Sequence, residues 1–217
     1  MAPQTQTQPR RKLNPWLVAS LVPVVLGPVW VALGTGTFAA SILVAATLAA
    51  ALDDSRRKKI ANWITYPAFL WLVAVSLAYS ASGMSWLGSV GFGDMLSGGF
   101  CCFVIVLLPY IFGAGGGGDA KIAAVIGAAL GLQYGLIAIG SAFVLAALFA
   151  IARETLRKGP FFIVRTIYRR LGSWLSIWVL PPSEEDQKFL KHPLPMGVSF
   201  LGGVLLTITG IIPNIIL

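Results

Sequence analysis

The chain reads as an all-α polytopic membrane protein with about seven transmembrane helices, six being the alternative count, plus one cytoplasmic interfacial amphipathic helix. Three observations predict this. Hydrophobic residues make up 57% of the sequence and charged residues only 11%, whereas an ordinary soluble domain is roughly 25% charged. The apolar residues come in runs suited to a bilayer, which needs about 20 residues per helix. They do not alternate with polar ones, as the strands of about 10 residues in a membrane β-barrel do. Finally, a seven-span threading puts all 16 Lys and Arg on one side, the asymmetry that marks cytoplasmic loops.

Residues 1–15, MAPQTQTQPRRKLNP, make a polar and then basic tail. Trp16–Leu33 is long enough to span and has no small-residue cleavage site before charged sequence, so a retained first helix is expected rather than a signal peptide. A turn at Gly34–Thr37 leads to Phe38–Leu52, and a third run covers Trp63–Tyr79. A polar, glycine-rich loop is expected over Ser80–Gly99, which holds no Lys or Arg, and a fourth run covers Phe100–Phe112. From Ile122 to Ala152 run 31 nearly uncharged residues, too many for one span, so two short ones are expected with a turn near Gly131–Gly135. The last run, Met196–Leu217, is interrupted by Pro213. Four regions result: a cytoplasmic tail (1–15), a membrane catalytic core (16–152), a cytoplasmic and interfacial segment (153–195) and a C-terminal transmembrane helix (196–217).

Within 161–180, Arg165, Arg169, Ser173 and Ser176 form a polar stripe, and Ile163, Ile167, Leu171, Trp174 and Trp178 an apolar one. That pattern suits a helix lying in the headgroup plane or covering the protein's own spans. The net charge of +8 would suggest nucleic acid in a soluble protein. Here it reads as topology, with membrane lipid as the neighbour and no nucleic acid as partner. Adjacent Cys101 and Cys102 lie in an apolar run without CxxC spacing and are expected to pack as small apolar groups.

Chemistry concentrates in acids. Gly115-Gly116-Gly117-Gly118-Asp119-Ala120-Lys121 places a carboxylate between two apolar runs, and an acid at such depth is costly enough to suggest function. The glycines allow close approach of backbone, including that of a substrate. A Walker-type phosphate loop would require Gly-Lys-Ser/Thr, whereas the glycines here lead into Asp119-Ala120-Lys121. A second acidic site, Asp53-Asp54, ends another apolar run, and the topology puts both sites at the same face. Two carboxylates brought close share one proton, so that one acts as base toward water and the other as acid. His192, the only histidine, sits in Lys191-His192-Pro193 just before a span with no nucleophile paired to it, so no Ser-His-Asp set is expected, and no His/Cys cluster suits zinc. Two rivals remain: a non-enzymatic secretion or transport component with its acids on an ion path, and a Mg²⁺-dependent lipid head-group enzyme built on Asp53, Asp54 and Asp119.

Gly116-Gly117-Gly118-Asp119-Ala120-Lys121 resembles the GxGD-x-K signature of the type IV prepilin peptidases, which are membrane aspartic proteases. That family's first aspartate begins a segment Asp-x5-Ile/Leu-Pro-Asn/Asp. Ile60-Ala61-Asn62 matches its end, with alanine in place of proline, and this register selects Asp54 over Asp53. Pro195-Met196-Gly197-Val198-Ser199 is similar to the Pro-Tyr-Gly-Val-Ala segment of the short prepilin peptidases of tight-adherence (Flp-type) pilus systems, departing at Met196 and Ser199. The resemblance covers roughly 38–150 and 195–205. It implies a hydrolase in the inner (cytoplasmic) membrane that needs no cofactor or metal. The enzyme would cut the basic leader from a pilin-like precursor, its partner, at the cytoplasmic face. Asp54 and Asp119 would be catalytic, and Gly116, Gly117, Gly118 and Lys121 would meet the substrate. Long members methylate the new pilin N-terminus and carry a cytoplasmic domain with CxxC pairs; with none here, peptidase activity alone is expected.

The charge asymmetry predicts that Ser80–Gly99 lies outside and Arg153–Lys191 inside. In a background with Cys101 and Cys102 replaced by alanine, an impermeant thiol reagent applied to intact cells should label Val90→Cys and spare Arg165→Cys. The opposite pattern would overturn the topology.

Overall fold

A computed structural model describes residues 37–88, 90–111, 116–158 and 196–211. The tail, the Trp16–Leu33 run, the expected interfacial helix over 161–180 and the end of the last run lie outside them. The described residues form five α-helices and no strand: α1 (Phe38–Arg57), α2 (Asn62–Ser82), α3 (Phe92–Ile111), α4 (Gly117–Lys158) and α5 (Met196–Ile208). The first three, and α4 through Arg153, are long and apolar enough to cross a membrane; α5 is apolar but shorter. This is a polytopic helical membrane protein. The described residues stop short of the expected count of seven spans.

Local chemistry sets the ends of α1. The Thr37 hydroxyl accepts from the Ala40 N–H at 3.3 Å as N-cap. The next donors, Phe38 N–H and Ala39 N–H, reach Trp86 O and Leu87 O in the α2–α3 connection at 2.9 and 3.0 Å. Those N–H groups have no partner within their own helix, and in a bilayer every backbone group must find one inside the protein. At the other end Arg56 and Arg57 occupy the last turn, and Lys58 closes the helix in the left-handed region at φ 54°. The apolar run was expected to end at Leu52. The helix continues for another turn and more, so Asp53 and Asp54 are helical residues and not loop residues.

The long run in α4 does contain the expected break. Gly131 has φ 76° and ψ −176°, a backbone state open to glycine and closed to most residues. The chain reverses there. A Cβ placed on Gly135 would lie 2.9 Å from the Cα of Gly127, two positions that a continuous helix would hold about 12 Å apart. Residues 117–130 and 132–158 are therefore two antiparallel arms. The first is buried on nearly every side: Ala120, Ile122, Ala123, Val125, Ile126, Ala128 and Ala129 all belong to the core. A helix apolar all round belongs inside, and the other helices pack around this arm.

Small residues bring α3 against the hairpin. A Cβ on Gly98 would strike the carbonyl of Gly127, one on Gly127 would strike the carbonyl of Gly98, and the Cys102 sulfur sits 3.1 Å from a Cβ built on Gly135. Close backbone approach at small residues is the usual basis of helix association in membranes. It corrects the expectation of a loop up to Gly99. Gly93, Gly98 and Gly99 lie in a helix that starts at Phe92, and at Gly98 and Gly99 glycine serves packing between helices rather than a turn. Asp94, in the first turn of α3, accepts from the N–H of Leu132 at 3.1 Å and so caps the second arm.

Gly131→Ala should lower the melting temperature of the detergent-purified protein, since the new methyl meets the Asp94 carboxylate and the φ value is unfavourable, at a cost of about 1–3 kcal/mol. Asp94→Ala should cost about 1 kcal/mol as a lost cap, and Asp94→Asn, which keeps an acceptor, should cost less. Unchanged melting for Gly131→Ala would mean the reversal is not what holds the hairpin.

Candidate active site

The bundle has two distinct ends. One holds Thr37, Trp86, Leu87, Asp94 and Gly131. The other holds the last turn of α1, the α1–α2 loop and the first turns of α2, α4 and α5. Arg56, Arg57, Lys58, Lys59 and Lys121 all lie at this second end together with Asp53, Asp54 and Asp119, and the second arm of α4 returns toward it with Arg153.

Asp54 is 7% exposed. It follows Thr47, Ala50 and Ala51 on the buried stripe of α1, so helical periodicity alone turns it inward. Its Oδ2 accepts from the Gly197 N–H at 2.8 Å. Gly197 opens α5, where backbone donors lack helical partners, and the carboxylate supplies one. The fit is close: a Cβ on Gly197 would lie 3.0 Å from the Asp54 Cβ and 3.0 Å from the Ala51 Cα. Gly197 belongs to the PMGVS segment noted in the sequence, but its contact with Asp54 was not foreseen.

Asp119 stands in the first turn of α4. Its Oδ2 accepts from the Gly116 N–H at 3.0 Å, and its own N–H donates to the Gly116 carbonyl at 3.0 Å, a reciprocal arrangement that holds the side chain at the helix start. Asp54 and Asp119 lie within Coulombic reach of each other. The fold thus brings together two acids far apart in the sequence.

Asp53 is turned elsewhere. One oxygen accepts from the Ala61 N–H at 3.1 Å, and the other meets Arg57 Nε at 3.3 Å. The two neighbouring acids are thus turned toward different partners. Among the described residues no three His, Cys, Asp or Glu side chains gather as a metal site.

The glycines before Asp119 differ in what they do, and close backbone approach is seen at one of them, Gly118. Gly117 and Gly118 already belong to α4, and neither they nor Gly116 has positive φ, so backbone freedom is not their reason. Gly118 is needed for space, because a Cβ there would lie 3.0 Å from the Ile60 Cβ and 3.3 Å from both Ile60 N and O. A Cβ on Gly117 would meet the Tyr110 ring at an ordinary contact distance of 3.7 Å, and Gly116 is exposed. Lys121 donates to Asn62 Oδ1 at 2.7 Å and lies 5.3 Å from the centre of the Tyr66 ring.

The sequence profile of the type IV leader peptidase family matches residues 41–151, more than half of the chain. The chain belongs to the type IV leader peptidase family. No curated protein and no solved structure matches it significantly. The matched range includes both acids of this leader peptidase family member and ends before α5, so the Gly197 N–H on Asp54 comes from outside it.

Proposed function

We propose that the chain is an intramembrane aspartic endopeptidase of the prepilin type, which removes the basic leader of pilin-like precursors at the cytoplasmic membrane face. The observation that carries this reading is the convergence of Asp54 and Asp119 at one end of the bundle, each held by a backbone N–H at the start of a helix. Membership of the leader peptidase family supports the reaction class. The cytoplasmic face follows from the basic residues that share that end.

The chemistry is that of a carboxylate pair holding one proton between its members. The ionised acid takes a proton from water as the oxygen attacks the scissile carbonyl carbon, and the protonated acid gives its proton to the carbonyl oxygen. The tetrahedral gem-diol then collapses. One hydroxyl proton returns to the carboxylate that gave its own, and the other acid protonates the leaving nitrogen as the C–N bond breaks. A new carboxyl group and amine leave, and the pair again holds one proton. Exposed Gly116 gives an extended substrate strand room beside Asp119, while the precursor's apolar helix stays in the lipid. Asp53, engaged by Ala61 and Arg57, takes no part in proton transfer.

Asp54→Asn and Asp119→Asn should each reduce precursor processing by about a hundredfold or more, the scale of acid–base catalysis, with protein level and membrane insertion unchanged. Asp53→Asn should be mild, because an amide oxygen still accepts from Ala61. Processing assayed by gel shift of a co-expressed precursor reads all three. Cleavage by the purified protein should also survive a chelator, which a Mg²⁺ enzyme would not. Near-normal cleavage by Asp54→Asn or Asp119→Asn would overturn the pair.

A further inference from the structure

Ile60, Ala61 and Asn62, where the α1–α2 loop enters α2, are gripped from both sides. From α1, Asp53 accepts from the Ala61 N–H. From α4, Lys121 donates to Asn62 Oδ1 and lies over Tyr66 one turn further along α2. Between these ties the first turn of α4 lies against the Ile60 backbone with room only for the hydrogen of Gly118. Each tie comes from a residue close to an acid: Asp53 adjoins Asp54, and Lys121 is two positions past Asp119.

We propose that Lys121 and Asn62 are positioning residues that clamp the α1–α2 loop to the start of α4 and so set the separation of the two carboxylates. This rests on the reading of Asp54 and Asp119 as the catalytic pair. The physical need is specific. Ile60 anchors the loop in the core, while Lys58 and Lys59 are exposed, and the polar ties to Ala61 and Asn62 fix the orientation that apolar packing leaves free. The expected function of Lys121 as a substrate contact is thereby replaced. Its ammonium is spent on Asn62 and the Tyr66 ring, and substrate feels it only through the spacing of the acids. A small misplacement of reacting groups costs up to about a hundredfold in rate.

The test is a double-mutant cycle on cleavage of a synthetic precursor by the purified full chain, with melting temperature recorded for each variant. Lys121→Met and Asn62→Leu should each lower kcat by about tenfold or more with KM nearly unchanged. The double variant should be no worse than the worse single one, because both remove one interaction. Asn62→Asp, which turns the hydrogen bond into an ion pair, should retain activity, as should Lys121→Arg. A raised KM with unchanged kcat for Lys121→Met would return Lys121 to substrate binding and overturn the proposal, as would additive losses in the double variant. If Lys121→Met does not fold, the decision passes to Asn62→Asp and Lys121→Arg, where lost activity at unchanged melting temperature overturns it. Asp54→Asn and Asp119→Asn run alongside: activity in either refutes the catalytic pair itself, whereas inactive acid variants with an unaffected Lys121→Met refute the clamp alone.

Discussion

The structure depends on one close approach, in which α3 and the two arms of α4 come together at Gly98, Gly127 and Gly135 around the reversal at Gly131. Without it the first arm of α4 would lie in lipid as half of an overlong helix. With it, that arm becomes the centre of the bundle, and its buried alanines, valines and isoleucines give the other helices a surface to pack on. Lipid supplies no hydrophobic drive for helices to associate, so close van der Waals contact at small residues has to do so. The reversal also satisfies itself electrostatically, since Asp94 takes the Leu132 N–H that the break exposes.

The central arm begins at the end that carries the acids. Asp119 sits in its first turn, and Asp54 reaches the same place from the last turns of α1. Among the described residues, both side chains are oriented by backbone donors, Gly116 N–H and Gly197 N–H. Backbone donors at helix starts are rigid, and a pair of acids that must pass a proton between them and a water benefits from such fixed supports. The proposed reaction needs an acid pair at the level where a precursor's leader leaves the membrane, and this end also carries the described basic residues.

Much of this was legible in the sequence. The position of the break in the long apolar run rested on a strong local signal, a length no single span can use, and the charge asymmetry and the motif register that favours Asp54 over Asp53 are the local signals on which the proposed topology and site rest. What escaped was long-range. Glycines 93, 98 and 99 read as loop because composition cannot distinguish a glycine that turns the chain from one that admits a neighbouring helix. Asp94 was passed over because its partner lies far along the chain, at a break whose geometry the sequence does not display. Gly197 stood in a recognisable segment, but that its N–H meets Asp54 depends on α5 crossing α1. The glycines before Asp119 were expected to admit a close backbone, and one of them does, but the backbone is that of Ile60 in the protein's own α1–α2 loop.

The central claim is that Asp54, and not Asp53, faces Asp119 across the α1–α2 loop. Oxidative cross-linking in native membranes measures this directly, using a chain with Cys101→Ala and Cys102→Ala and a protease site placed in the connection at 83–88. After proteolysis, Asp54→Cys combined with Asp119→Cys should hold the two fragments together until reduced, and Asp53→Cys combined with Asp119→Cys should not. Fragments that separate in the first case and stay joined in the second would contradict the arrangement on which the proposed chemistry depends.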